Sequence, residues 1–139
     1  MARTIDMKFI RYLNLFEKIT KVRAQYCFFY NSTILFLVQK ADVARAIGES
    51  GKNIKKLSHI LEKKVKIISI PKGNQDILKF ISDIIYPIKV KNVEIKDNCV
   101  NINAGMQNRA TLIGRNKTRL AEMKEILEQY FGIKELKIT

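Results

Sequence analysis

The chain is one pattern written twice, and that repeat limits its fold more than any other feature. Ala44-Arg45-Ala46-Ile47-Gly48 is matched 66 residues later by Ala110-Thr111-Leu112-Ile113-Gly114. At the same offset Ile54 meets Leu120, Leu57 meets Met123, Leu61 meets Leu127 and Ile67 meets Ile133, without a gap. In the first half, Ile5, Phe9, Tyr12, Leu13, Phe16 and Ile19 recur at helical spacing, so residues 5–20 are expected to form an amphipathic helix. Residues 22–30 and 33–39 are expected strands around an Asn31-Ser32 turn, followed by a helix over 41–47, a helix over 51–63 and a strand over 65–70. Pro71-Lys72-Gly73-Asn74 marks the boundary, with Asn74 as a helix N-cap and Asp76 in its first turn.

The order then repeats. A helix over 76–86 stops before Pro87, strands over 88–95 and 99–103 flank an Asp97-Asn98 turn, and a short helix over 107–113 ends at Gly114. Leu120, Met123, Leu127 and Tyr130 mark a long helix, Gly132 closes it, and 133–138 is the last strand. The expected fold is α+β, in two copies over 1–70 and 74–139, each helix-strand-strand-helix-helix-strand. Units of this size bury a limited core alone, and the connection is only a few residues, so the copies are expected to pack as one rigid unit.

Charge narrows the partners. Lys and Arg number 26 against 13 Asp and Glu, a net charge of +13 in 139 residues with 47% hydrophobic residues. That hydrophobic share excludes a disordered basic tail. Folding does not need such an excess, and its self-repulsion opposes compactness. A polyanionic partner accounts for it: nucleic acid first, an anionic membrane surface second. A Lys-rich proteome would produce it too. No stretch reaches the length of a membrane helix and the N-terminus has no signal-peptide core, so a cytoplasmic protein is expected.

Catalytic and metal chemistry find little here. Cys27 and Cys99, expected as buried thiols, and the single histidine, His59, cannot build a closed zinc site. His59 falls beside an apolar stripe, as a surface residue does. No nucleophile–base set or functional carboxylate pair stands out, and Glu122, Glu125 and Glu128 fit the solvated face of a helix. The expectation is no enzyme, no cofactor and no small-molecule substrate.

The segment that carries chemistry is Ile47-Gly48-Glu49-Ser50-Gly51-Lys52-Asn53-Ile54, an I-G-x-x-G-x-x-I pattern between two helical stretches. Two glycines allow a sharp turn and close backbone approach, and the next helix presents free N–H groups and its positive dipole end to a phosphate. Arg45, Lys52, Lys55 and Lys56 add positive charge around the rim. It is not a Walker A loop, because Ala46 stands five before Gly51 and Asn53 follows Lys52. It is not a Rossmann fingerprint either, because a helix precedes it.

This signature resembles the KH domain, whose GXXG loop clamps about four nucleotides of single-stranded nucleic acid. The helix-first order resembles the type II form. Two tandem copies in a chain of this size are similar to the archaeal NusA-like transcription factors. The opening helix ending Phe16-Glu17-Lys18-Ile19-Thr20, Cys27 and Pro87 support the likeness. The resemblance implies single-stranded RNA in a groove between the loop and the second strand of the core sheet, with Gly48 to Gly51 on its backbone and Ile47 and Ile54 under its bases, unless these are plain core. It also implies regulation of elongation, termination or antitermination with RNA polymerase. An adaptor in ribosome assembly or RNA processing would share the architecture. The bacterial relatives' additional polymerase-binding and OB-fold domains have no counterpart in these residues.

Two departures matter. The second loop is Gly114-Arg115-Asn116-Lys117, where lysine replaces the second glycine. Its Cβ is expected to hinder the closest phosphate approach, while Arg115, Lys117 and Arg119 supply charge; weaker binding, altered geometry or a purely structural copy would follow. In the first loop Glu49 stands where the family usually carries a basic residue. Residues 1–70 carry a net charge of +9 and residues 71–139 a net +4, which puts phosphate contact mainly in the first half.

Overall fold

In the computed structural model, residues 7–139 are described, apart from the side chains of Asn74 and Tyr130. Ile5 and the start of the first expected helix lie outside the described residues. The chain divides into two compact units at Ile70–Pro71.

The first unit opens with α1 (Met7–Thr20). Phe16 is fully buried and Phe9, Tyr12, Leu13 and Ile19 pack against the same cluster, as their helical spacing requires. Thr20 ends the helix. Its buried hydroxyl donates to the Phe16 carbonyl at 2.8 Å and accepts the Val22 N–H at 3.1 Å. Lys21 follows at φ +61° and turns the chain toward the sheet.

That sheet holds β1 (Tyr26–Tyr30), β2 (Thr33–Val38) and β3 (Lys64–Ser69) in this order. β1 and β2 are antiparallel with Cys27 opposite Phe36; β2 and β3 are parallel with Phe36 opposite Ile67. Asn31 and Ser32 both have positive φ, the geometry of a tight hairpin turn. Between β2 and β3 run α2 (Val43–Ile47) and α3 (Lys52–Leu61), whose Ala46 and Leu57 seal the core. β1 is shorter than its apolar run: Val22 and Ala24 are buried but not in the strand, and only the Gln25 N–H reaches the Leu37 carbonyl.

The second unit repeats the order. A 3-10 turn over Asn74–Asp76 leads into α4 (Ile77–Ile85), with Ile77, Phe80, Ile81, Ile84 and Ile85 all buried. Asp76 does not cap that helix with its side chain; its carboxylate accepts the Lys72 N–H at 2.9 Å, because Gly73 folds the linker back onto it. β4 (Asn92–Lys96), β5 (Cys99–Asn103) and β6 (Glu135–Ile138) form the sheet, β4–β5 antiparallel and β5–β6 parallel. β4 is shorter than expected, since of residues 88–91 only the Lys91 N–H reaches the facing strand, at the Asn103 carbonyl. α5 (Met106–Ile113) and α6 (Thr118–Phe131) bridge β5 and β6, and Gly132 closes α6 at φ +66°. The architecture is α+β, with helices and a three-stranded sheet in each unit. Cys27 is buried and Cys99 half-buried; both are free thiols. Among the described residues no helix is long and apolar enough to cross a membrane.

Candidate nucleic-acid interface

The glycine loop is set by the end of α2. Ile47 closes that helix, and Gly48 leaves it at φ +82°, ψ +165°, a region essentially restricted to glycine. A Cβ on Gly48 would lie 3.0 Å from the Asn53 amide carbon and 3.2 Å from its backbone nitrogen. The chain then makes one 3-10 turn, Gly51 N–H to Gly48 carbonyl at 3.1 Å, with Ser50 at φ +55° and Gly51 at φ +73°. α3 begins at Lys52. The Glu49 and Ser50 amides have no acceptor among the described residues, so the loop offers two unpaired N–H donors beside a helix N-terminus.

The two glycines do different work. Around a Cβ on Gly51 nothing stands within 4 Å. Its absence keeps space open outside the protein, where a ligand backbone would come, and relieves a left-handed conformation.

The surrounding residues fall into three groups. Lys52, Lys55 and Lys56 are exposed on α3 and make no ion pair among the described residues. Arg45 is exposed but pairs with Asp42 at 3.0 Å, so part of its charge is answered locally. Ile47 and Ile54 are half-buried against the core, with one side in the cluster and the other available to solvent. Glu49 is exposed.

Asn53 has a structural task that the spacing of the motif did not disclose. Its side-chain amide donates to the Ala46 carbonyl at 3.1 Å and lies 3.4 Å from that of Arg45. It thereby ties the start of α3 to the end of α2 and fixes the width of the loop.

The second loop repeats this backbone. Gly114 stands at φ +78°, ψ +170°, Asn116 at φ +56°, ψ +27° and Lys117 at φ +60°, ψ +24°. The matching 3-10 bond runs from the Lys117 N–H to the Gly114 carbonyl at 3.1 Å. Lys117 therefore holds the left-handed conformation that Gly51 holds in the first loop. Gly114 is more tightly placed than Gly48: a Cβ there would meet the Arg119 Cγ at 2.9 Å and its backbone nitrogen at 3.0 Å. Arg119 takes the place of Asn53. A residue that sequence reasoning passed over, Thr118, donates its hydroxyl to the Arg115 carbonyl at 2.8 Å and steadies the turn; hydroxyl residues at helix starts are the signal for it. Arg115, Asn116 and Lys117 are exposed.

No protein-family model matches the chain. Individual relatives do. The probable transcription termination protein NusA of Methanocaldococcus jannaschii is 30% identical over 130 residues, covering 91% of this chain and 69% of that protein. The chain belongs to the archaeal NusA-like family. Proteins of the same name from Methanococcus vannielii and Halococcus morrhuae are 27% and 25% identical over 143 residues, spanning 100% of this chain and 81% and 100% of theirs. The crystal structure of APE1850 matches the fold of this family member with a TM-score of 0.68 at 24% identity, over 97% of this chain and all of that one.

Proposed function

We propose that this NusA-like chain binds single-stranded RNA through two tandem type II KH domains, residues 1–70 and 74–139, and regulates transcription elongation or termination together with RNA polymerase. The observation that carries this reading is the Gly48–Gly51 turn: two unpaired amides, an open approach over Gly51, and an α3 that begins with uncompensated lysines. The family's name, transcription termination protein, supplies the process. In this reading the loop clamps backbone phosphates, and the exposed sides of Ile47 and Ile54 support bases. Arg45, Lys52, Lys55 and Lys56 neutralise charge nearby, and the work is binding rather than catalysis. The second loop, with Arg115, Asn116, Lys117 and Arg119, contacts RNA in a different geometry, because a lysine side chain rises where the first loop is open. The short connection supports the two domains moving as one body, which nuclear relaxation would show as a single tumbling time.

Binding of single-stranded RNA across a salt series, wild type against Gly51→Asp, tests it. The variant stays folded, because its Cβ meets nothing, with a melting temperature lowered by the left-handed backbone at Gly51; measured well below that temperature, it loses most of its affinity. Unchanged affinity would remove the loop from the function. Gly114→Asp is not the matching probe, since that site is crowded; Lys117→Asp is, and it is expected to cost less affinity than Gly51→Asp. Recovery of polymerase subunits with the tagged protein supports the transcriptional role, and recovery of pre-ribosomal particles instead would overturn it.

A further inference from the structure

The two copies share a loop backbone but differ in the helix that follows it. On α3, Lys52, Lys56 and His59 project away from the buried Leu57, all exposed, and Lys55 flanks them. The row runs beyond the helix to Lys63, interrupted by one exposed carboxylate, Glu62. It ends at an aromatic group: the Lys63 Nζ lies 5.8 Å from the centre of the Phe29 ring and the Lys8 Nζ 4.8 Å from it. Phe29 packs with Phe9 and Tyr12 at 5.5 and 6.2 Å between ring centres, all three half-buried. In α6 the positions of Lys52, Lys56, His59 and Lys63 are Thr118, Glu122, Glu125 and Gln129. With the same fold and the same turn, one copy carries three lysines and a histidine at these positions and the other carries two carboxylates and no basic residue. Folding cannot require either choice, and like charges gathered on one helix face oppose it.

We propose that this face is a second RNA-binding segment: single-stranded RNA leaving the first loop continues along the outer face of α3, about 15 Å of helix, to the Phe29 cluster with Lys8 and Lys63. The chemistry suits a flexible polyanion, with lysines to track phosphates and aromatic edges at the end of the run. The second copy, with Thr118, Glu122, Glu125 and Gln129 at the matching positions, has no such track.

The inference rests on RNA binding by the first loop, and RNA length separates the two. Lys8→Gln combined with Lys63→Gln is measured with a tetranucleotide and with a decanucleotide in a salt series. The tetranucleotide binds as to wild type. The decanucleotide binds several-fold more weakly at low salt, and its salt slope falls by about 1.4, or 0.7 for each lost phosphate contact. His59→Glu combined with Lys63→Gln, which gives these two positions the residues of the second copy, also weakens the decanucleotide and not the tetranucleotide. Equal losses at both lengths, or none with the decanucleotide, overturn the track. Anionic vesicles that depend on Lys8 and Lys63 while the decanucleotide does not would also overturn it. A wild-type protein that binds neither RNA removes the reading beneath it instead.

Discussion

At residue scale the glycines separate into those the fold needs and those it leaves free. Gly48 and Gly114 sit where only glycine is comfortable and where a methyl group would press on Asn53 or Arg119. Gly48→Ala is therefore expected to cost about 1–3 kcal/mol of stability, and Gly114→Ala at least as much, read from urea unfolding. Equal stability of Gly48→Ala and wild type would show that the turn has another conformation. Gly51 and Lys117 make the opposite pair. Both hold the left-handed conformation, which costs a side chain about 1–2 kcal/mol. Gly51→Lys should lower the melting temperature slightly, and Lys117→Gly should not lower it. If Lys117→Gly destabilises, the lysine is held by contacts beyond its backbone.

At the scale of elements, small polar side chains hold the helix ends. Asn53 bridges α2 and α3 through the Ala46 carbonyl. Its replacement by alanine is expected to cost about 1 kcal/mol and to weaken RNA binding through a looser loop, detectable as faster hydrogen exchange at the Gly48 and Gly51 amides, which are the hydrogen-bonded ones of the turn. Loss of affinity without that change would make Asn53 a direct ligand. Thr20 does comparable work for α1. Thr20→Val keeps the volume but strands the buried Val22 N–H, for an expected loss of about 1–3 kcal/mol, while Thr20→Ser keeps most of the stability. The elements themselves were legible in the sequence because their apolar spacing is strict: Phe9, Phe16 and Leu57 fall on the buried sides that periodicity gives them. Their ends were less so. Val22 and Ala24 are apolar and buried yet precede β1, because burial needs only packing whereas a strand needs a partner for its backbone.

At the scale of the whole molecule, the net +13 acts through counterions. If four phosphates of a single strand are neutralised, affinity should fall with a log–log slope of roughly −2.8, about fifty-fold between 50 and 200 mM salt. A slope near zero would mean that the charge serves something other than RNA. The charge is also placed unevenly among the helices. Among the described residues α3 keeps its lysines without ion pairs, while on α4 Lys79 pairs with Asp83 at 2.9 Å.

The repeat, the order of elements and the position of the first loop followed from the sequence alone, because apolar spacing and glycine are local constraints that leave their mark on neighbouring residues. What Gly51, Lys117 and Asn53 do depended on the tertiary structure. An open approach, a shared left-handed turn and an amide reaching seven residues back are arrangements in space, and residues of the same type at the same spacing could have stood there without making them.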